Sequence, residues 1–289
     1  SILPTHGTSL SALPCVEKMR ILTPLWRTLR LLEHLFTGAA IALVVATGHR
    51  LGIPAKRLPL LVRWWHGRLC RALGLRVEVS GDLAPHALLV ANHVSWLDLP
   101  VLGAQGSIGF LSKAEVRRWP LIGWMAEIAG TLFLTRGANQ TAEMIPRIAE
   151  RIRTAGGVVV FPEGTTTDGK RLQRFHPRLL AVGQCGGIRI QPVALRFGTN
   201  SSPDPAAPFL GDEALLPHLA RLVRHPGRMV QVSFLPTLDS GALPRRAVDD
   251  HCRWVIARTL GIEPSAPSSP TNPMAEGLSA PAVPLAEAK

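Results

Sequence analysis

The chain predicts an α/β fold, a largely parallel or mixed sheet flanked by helices, preceded by N-terminal helices that associate with a membrane. Three observations carry this. Short β-branched or leucine-rich runs recur, as at Leu88–Ala91 and Val158–Val160, and each ends in a polar loop. Helical stretches separate the runs, and strand–helix alternation is the pattern of a parallel sheet wrapped by helices. Upstream, the stretch from His34 to His49 carries no formal charge, and Leu35 to Thr47 is almost wholly apolar.

Taken in order, the apolar run comes first. A spanning helix needs about 20 apolar residues, with a lower limit near 17, so Leu35–Thr47 is short. It is either a re-entrant or single-pass anchor or a helix buried in protein. Lys18, Arg20, Arg27 and Arg30 precede it and Arg50, Lys56 and Arg57 follow it, so the distribution of positive charge assigns no orientation. Over residues 58–73, Leu58, Leu61, Val62, Trp65, Leu69 and Leu73 form one helical stripe beside Arg57, Arg68 and Arg71, and Pro59 suits a first turn. Two readings stay open for that stripe: an interfacial helix, or a helix packing on the core. Strands are expected at Val77–Val79, Leu88–Ala91, Ile108–Leu111, Thr131–Leu134, Val158–Phe161, Ile188–Leu195 and Met229–Phe234. Helices are expected from Trp96, near Pro120–Ala129, at Ala142–Thr154, near Pro177–Ala181 and at Arg245–Leu260. From about Pro264 to Lys289 the composition is rich in Pro, Ser and Ala without apolar periodicity, which reads as a disordered tail. The organisation is therefore a membrane-anchoring segment (1–75), one α/β catalytic domain (76–262) and a tail (263–289).

Chemistry concentrates in two strings, Asn92-His93-Val94-Ser95-Trp96-Leu97-Asp98 and Phe161-Pro162-Glu163-Gly164-Thr165, each placed where a buried strand ends. Open α/β folds put their ligands there. Five steps of about 100° leave His93 and Asp98 about 140° apart on a regular helix, so the chain must bend between them. With Ser95 capping a helix that starts at Trp96, Asp98 falls in the first turn and points back toward His93. A histidine is suited to take a proton from an alcohol near neutral pH. A carboxylate on its other ring nitrogen would fix the tautomer and stabilise the imidazolium. Arg136, just past a strand, could grip a phosphate or carboxylate, and Lys113, after another strand, could meet the same group.

These residues resemble the glycerolipid acyltransferase family, of the bacterial 1-acylglycerol-3-phosphate acyltransferase type. His93-x-x-x-x-Asp98 and Phe-Pro-Glu-Gly-Thr match two of its blocks. Gly130-Thr131-Leu132-Phe133-Leu134-Thr135-Arg136 and Ile190-Gln191-Pro192-Val193-Ala194 match two more, in the family's order. The resemblance makes His93 the base and Asp98 its partner, and it assigns Glu163, Gly164 and Thr165 to acceptor binding. It implies transfer of an acyl group from acyl-carrier protein or coenzyme A thioester to a lyso-lipid hydroxyl, with no bound cofactor and no metal. Many members that use lysophosphatidic acid carry arginine directly after Phe-Pro-Glu-Gly-Thr; this chain has Thr166, then Thr167-Asp168-Gly169-Lys170-Arg171. That continuation looks like branches acylating lyso-ornithine lipid or other lyso-lipids. With Lys170 or Arg171 able to supply charge, 1-acylglycerol-3-phosphate leads and lyso-ornithine lipid is the alternative.

Composition bears on partners. The formal charge of +12 favours polyanions. The basic residues lie among apolar helical segments, and the chain is 46% hydrophobic, so a membrane surface is the better partner. Nucleic acid is disfavoured by the lack of a recognition motif and of tyrosine. The expected location is the bacterial cytoplasmic membrane, with the active site on its cytoplasmic side. Cys15, Cys70, Cys185 and Cys252 have no metal-ligand spacing and read as reduced thiols. A nucleotide-binding loop is the remote alternative: Gly164 to Lys170 nearly spells the phosphate-cradling motif, but Arg171 stands where a Mg²⁺-holding Ser or Thr belongs.

Overall fold

The computed structural model describes residues 15–135, 138–225 and 227–262. The proposed tail therefore lies outside the described residues, as does Arg136. Strands β1 (Leu75–Ser80), β2 (Ala87–Ala91), β3 (Ile108–Lys113), β4 (Leu132–Leu134), β5 (Gly157–Val160), β6 (Arg189–Phe197) and β7 (Arg228–Phe234) form one seven-stranded sheet in the order β1-β7-β6-β2-β5-β3-β4. Every pairing is parallel except β6 with β7. The expected largely parallel sheet is thus present.

Helices α1 (Cys15–Arg50), α2 (Leu58–Ala72), α3 (Asp98–Gly103), α4 (Ile122–Ile128), α5 (Ala138–Ala155), α6 (Leu215–Arg224) and α7 (Arg245–Leu260) surround the sheet. Central strands are covered on both faces, which is why they read as continuous apolar runs rather than as alternations. Leu89, Ala91, Val159, Val193 and Leu195 face a core completed by Cys70 of α2, Val101 and Leu102 of α3, and Leu222 of α6. Leu88, Val90, Val158, Val160 and Ala194 face the other core, closed by Ile148 and Ile152 of α5 and by Val248, Cys252 and Ile256 of α7. After β2 the chain runs to β3 on one side, and after β5 it runs to β6 on the other, so the strand order reverses beside β2 and β5. Their carboxyl ends open the crevice where such sheets bind ligands.

Several expectations change. The first helix is far longer than the apolar run that announces it: α1 spans 36 residues. Its Thr23–Arg50 segment is long and apolar enough, by length and composition, to cross a membrane. The α2 stripe turns inward, with Cys70 and Leu73 buried in the core and Trp65 stacked on His34 of α1 at 4.1 Å between ring centroids. Core packing holds for the C-terminal part of the stripe, where Leu69 and Leu73 join the core, while Leu61 stays exposed beside Leu60 and Trp64. The helix expected from Trp96 starts at Asp98, because residues 95–97 form a turn closed by the Asp98 amide on the Ser95 carbonyl (3.0 Å). Pro177–Gln184 is a 3₁₀ rather than an α-helix. Helix α6 was not anticipated, although Leu215, Leu219 and Leu222 stand at helical spacing.

Candidate active site

Strand β2 delivers His93. Beyond its last paired residue, the Asn92 side chain continues the ladder: its Nδ2 donates to the Leu195 carbonyl (3.0 Å) and its Oδ1 accepts from the Leu195 amide (2.8 Å). The backbone then turns away from the sheet. Nδ1 of His93 donates to Asp98 Oδ2 at 2.7 Å, and the same oxygen accepts the amides of Val94 (2.8 Å) and Ser95 (3.0 Å). Asp98 is fully buried, whereas the His93 side chain keeps 18% exposure. With Nδ1–H committed to the carboxylate, the second ring nitrogen keeps its lone pair and is left to work on a substrate. The expected Ser95 side-chain cap does not form: Asp98 reaches back to the Ser95 amide, while the buried Ser95 hydroxyl has no hydrogen-bond partner among the described residues.

The β5 loop holds the remainder of His93. Phe161 stacks on the imidazole with centroids 4.0 Å apart and planes 17° from parallel. Glu163, 4% exposed, accepts the His93 amide on Oε1 (2.8 Å) and the Gln173 amide on Oε2 (2.9 Å). Burial raises its pKa above the ordinary carboxylate value, and the two amide bonds oppose that rise. The Thr167 amide donates to the His93 carbonyl (2.8 Å). The base is therefore fixed by its ring, its N–H and its C=O from two separate loops. The amides of residues 93–95 are all spent on carboxylates, so an oxyanion must find its donors elsewhere.

Other sequence-derived candidates are distributed as follows. Gly164 and Thr165 are exposed, and Gly164 has a φ of +69°, a left-handed turn natural to glycine. Lys113 ends β3 and is exposed at the same edge of the sheet. Phe161, Thr167 and Gln173 were not singled out as functional, since their roles are stacking and backbone contacts that no motif spacing advertises. The loop from Gly164 to Lys170 leads into irregular chain before the 3₁₀ helix at Pro177, so it lacks the helix N-terminus that a nucleotide-binding loop uses. Among the described residues no group of three His, Cys, Asp or Glu is placed to hold a metal ion. Cys70, Cys185 and Cys252 are free thiols.

A histidine braced by a buried carboxylate at the mouth of a largely parallel sheet is an arrangement suited to general base chemistry in an α/β enzyme. The Acyltransferase family model matches residues 76–196. A lyso-ornithine lipid O-acyltransferase of Pseudomonas aeruginosa is 45% identical over 240 residues, 82% of this chain and 93% of the relative. A 1-acyl-sn-glycerol-3-phosphate acyltransferase of Neisseria gonorrhoeae is 31% identical over 215 residues, 71% of this chain and 84% of the relative. The crystal structure of the 1-acyl-sn-glycerophosphate (LPA) acyltransferase from Thermotoga maritima shares the fold, with a TM-score of 0.62 at 20% identity over 85% of this chain and 96% of that one. The chain belongs to the acyltransferase family, as its four sequence blocks led us to expect.

Proposed function

We propose that this acyltransferase moves a fatty acyl group from a thioester, carried by acyl-carrier protein or coenzyme A, onto the free hydroxyl of a lyso-lipid, and that the acceptor is lyso-ornithine lipid. The observation that carries the reaction is the His93–Asp98 pair, 2.7 Å apart and open to solvent only on the imidazole side. His93 takes the proton from the acceptor hydroxyl as its oxygen bonds to the thioester carbonyl carbon. The imidazolium, stabilised by Asp98, returns that proton to the sulfur as the carbon–sulfur bond of the tetrahedral intermediate breaks. A thioester is already activated, so no covalent acyl-enzyme is required. Gly164, Thr165 and Lys113 stand at the sheet edge where a headgroup would lie, and Arg136, outside the described residues, stays a candidate from the sequence alone. Glu163 serves by holding the two loops in register around the base.

The choice of acceptor rests on position 166. Thr166 stands where a phosphate-reading arginine would be expected, and its hydroxyl donates to the Phe209 carbonyl rather than pointing a charge at a ligand. Similarity to the Pseudomonas aeruginosa enzyme supports the same acceptor. We place the enzyme on the bacterial cytoplasmic membrane, held by the outward apolar face of α1 and facing the cytoplasm, where thioester donors are made. Its charge of +12 suits an anionic leaflet and an acidic carrier.

The test is a panel. Purified protein with one acyl thioester is offered lyso-ornithine lipid, 1-acylglycerol-3-phosphate and other lysophospholipids, read by mass spectrometry. Lyso-ornithine lipid should be acylated fastest; preference for the phosphate acceptor would overturn the acceptor assignment. His93→Ala should lower kcat at least about 10²-fold, and near-parental turnover would overturn the mechanism.

A further inference from the structure

The segment from Asp204 to Leu210 runs beside the site, bonded on one side to α6 and on the other to the loops after β2 and β5. Helix α6 grips it from behind: His218 Nε2–H donates to the Ala207 carbonyl (3.2 Å), and one turn on, Arg221 donates to the carbonyls of Ala206 (3.4 Å) and Pro208 (3.1 Å). In front, the Phe209 amide donates to the Val94 carbonyl (3.1 Å), inside the loop that carries the base, and the Thr166 hydroxyl donates to the Phe209 carbonyl. A third tie closes the circuit. Trp96, between His93 and Asp98, donates its indole N–H to His218 Nδ1 at 2.9 Å. The Phe209 ring meets His218 edge-on, 5.1 Å between centroids.

We infer that the Asp204–Leu210 strap, latched by Thr166 and by the Trp96–His218 hydrogen bond, is the wall that seats the acceptor headgroup, with His218 a positioning residue that acts through Trp96. Three features argue for this. The strap bonds to both catalytic loops, yet among the described residues the hydrogen bonds of the His93 ring, Asp98 and Glu163 do not involve it, so it shapes the site without serving the base. Trp96 and Phe209 are half-buried, so part of each ring stays free to meet a ligand, and an indole pinned at its N–H is a rigid wall. Finally, Thr166 spends on the strap the position at which a phosphate-reading side chain would otherwise stand. A fully buried histidine that must accept at Nδ1 has to stay neutral, and burial, with Arg221 adding to it, holds the His218 pKa below the ordinary value.

The inference rests on the lyso-lipid acyltransferase reading, and the experiment separates the two. His218→Leu, His218→Asn, Thr166→Val and Thr166→Ser are assayed with the acceptor the parent uses best, varying acceptor and thioester in turn, with thermal melts alongside. His218→Leu and Thr166→Val should raise the acceptor KM about tenfold each, the effect of one buried hydrogen bond. The kcat and the thioester KM should stay within about threefold. His218→Asn, whose carbonyl can still accept the indole N–H, and Thr166→Ser should restore the acceptor KM. The half-buried Thr166 pair decides the matter should His218→Leu fail to fold. A folded Thr166→Val with unchanged acceptor KM, or a fall in kcat alone, overturns the inference. A parent that acylates no lyso-lipid overturns the functional reading and this inference with it.

Discussion

Two parts of the molecule spend the same apolar residue types in opposite ways. In the sheet, Leu88, Leu89, Val90 and Val158 are wholly buried, and polar groups that enter the interior there, such as Asp98 and Glu163, are bonded to backbone amides. On α1 the pattern inverts. Phe36 is 78% exposed, Val44 71% and Leu43 60%, while His34 is tucked against α2. An exposed apolar face of this kind marks a surface that another apolar phase or partner would cover, and a membrane is the partner proposed above. The join between the two parts is intimate. Arg27 of α1 donates to the Val223 carbonyl (3.1 Å) near the end of α6, and Cys70 of α2 and Leu73 just after it join the core. The arm is therefore no appendage on a tether, and its outward apolar face is held in a fixed relation to the sheet. Two concavities lie along this arm, one of about 880 Å³ bordered by Leu43, Leu51, Ile53 and Leu58 and one of about 260 Å³ bordered by Arg63, Trp64 and Arg71; neither borders His93.

The contrast can be broken at either end. Glutamates at Phe36 and Leu43, two exposed positions seven residues apart on one face of α1, should have the largest effect. Each removes about 2–3 kcal/mol of apolar burial in a bilayer and adds the cost of a charge. Liposome flotation should show membrane partitioning down by at least about 10²-fold, with the far-UV spectrum of the protein unchanged; retained flotation would show that α1 does not face lipid. The next effect sits in the sheet. Leu89→Ala should lower unfolding stability by about 2–5 kcal/mol, against under about 0.5 kcal/mol for Val44→Ala, as read by denaturant titration in the same detergent. Equal losses would erase the distinction between the two regions.

The smallest effect sharpens the same contrast through pH. Asp249 on α7 is 8% exposed, and its Oδ1 lacks a hydrogen-bond partner among the described residues. Burial, with the neighbouring Asp250 adding to it, raises its pKa from the ordinary 3.8 to about 7, against the opposing pull of Arg253, Arg174 and Arg246. A carboxyl whose folded pKa lies above its unfolded value binds its proton more tightly in the folded state. Its contribution is complete below about pH 4 and is lost as pH rises through about 7. Asp249→Asn mimics the protonated form. It should melt higher than the parent at pH 8, by on the order of 1–3 kcal/mol, and the difference should shrink toward zero as the pH falls to 4. A constant offset across that range would mean that Asp249 is not the titrating group.

Much of the fold was legible in the chain because its signals are local. Strands covered on both faces must be apolar throughout, so β2, β5 and β6 stood out. His93 and Asp98 lie in one short string whose bend follows from helical geometry alone. Other features leave no local trace. The full reach of α1 was hidden because charged residues flank its apolar run. The inward turn of the α2 stripe depends on what packs against it, since a helical stripe looks the same whether it faces lipid or a sheet. Helix α6 was obscured by Pro217 and by a polar approach.

What tertiary structure alone decided is the company each residue keeps. That Glu163 would grip the amides of His93 and Gln173, that Phe161 would stack on the imidazole, and that His218 would hold Trp96 from 122 positions away are facts of proximity. The amino-acid order states which groups can donate, accept or hide from water. Only the folded backbone, by closing loops of many tens of residues at an entropic cost that packing repays, settles which of those groups meet.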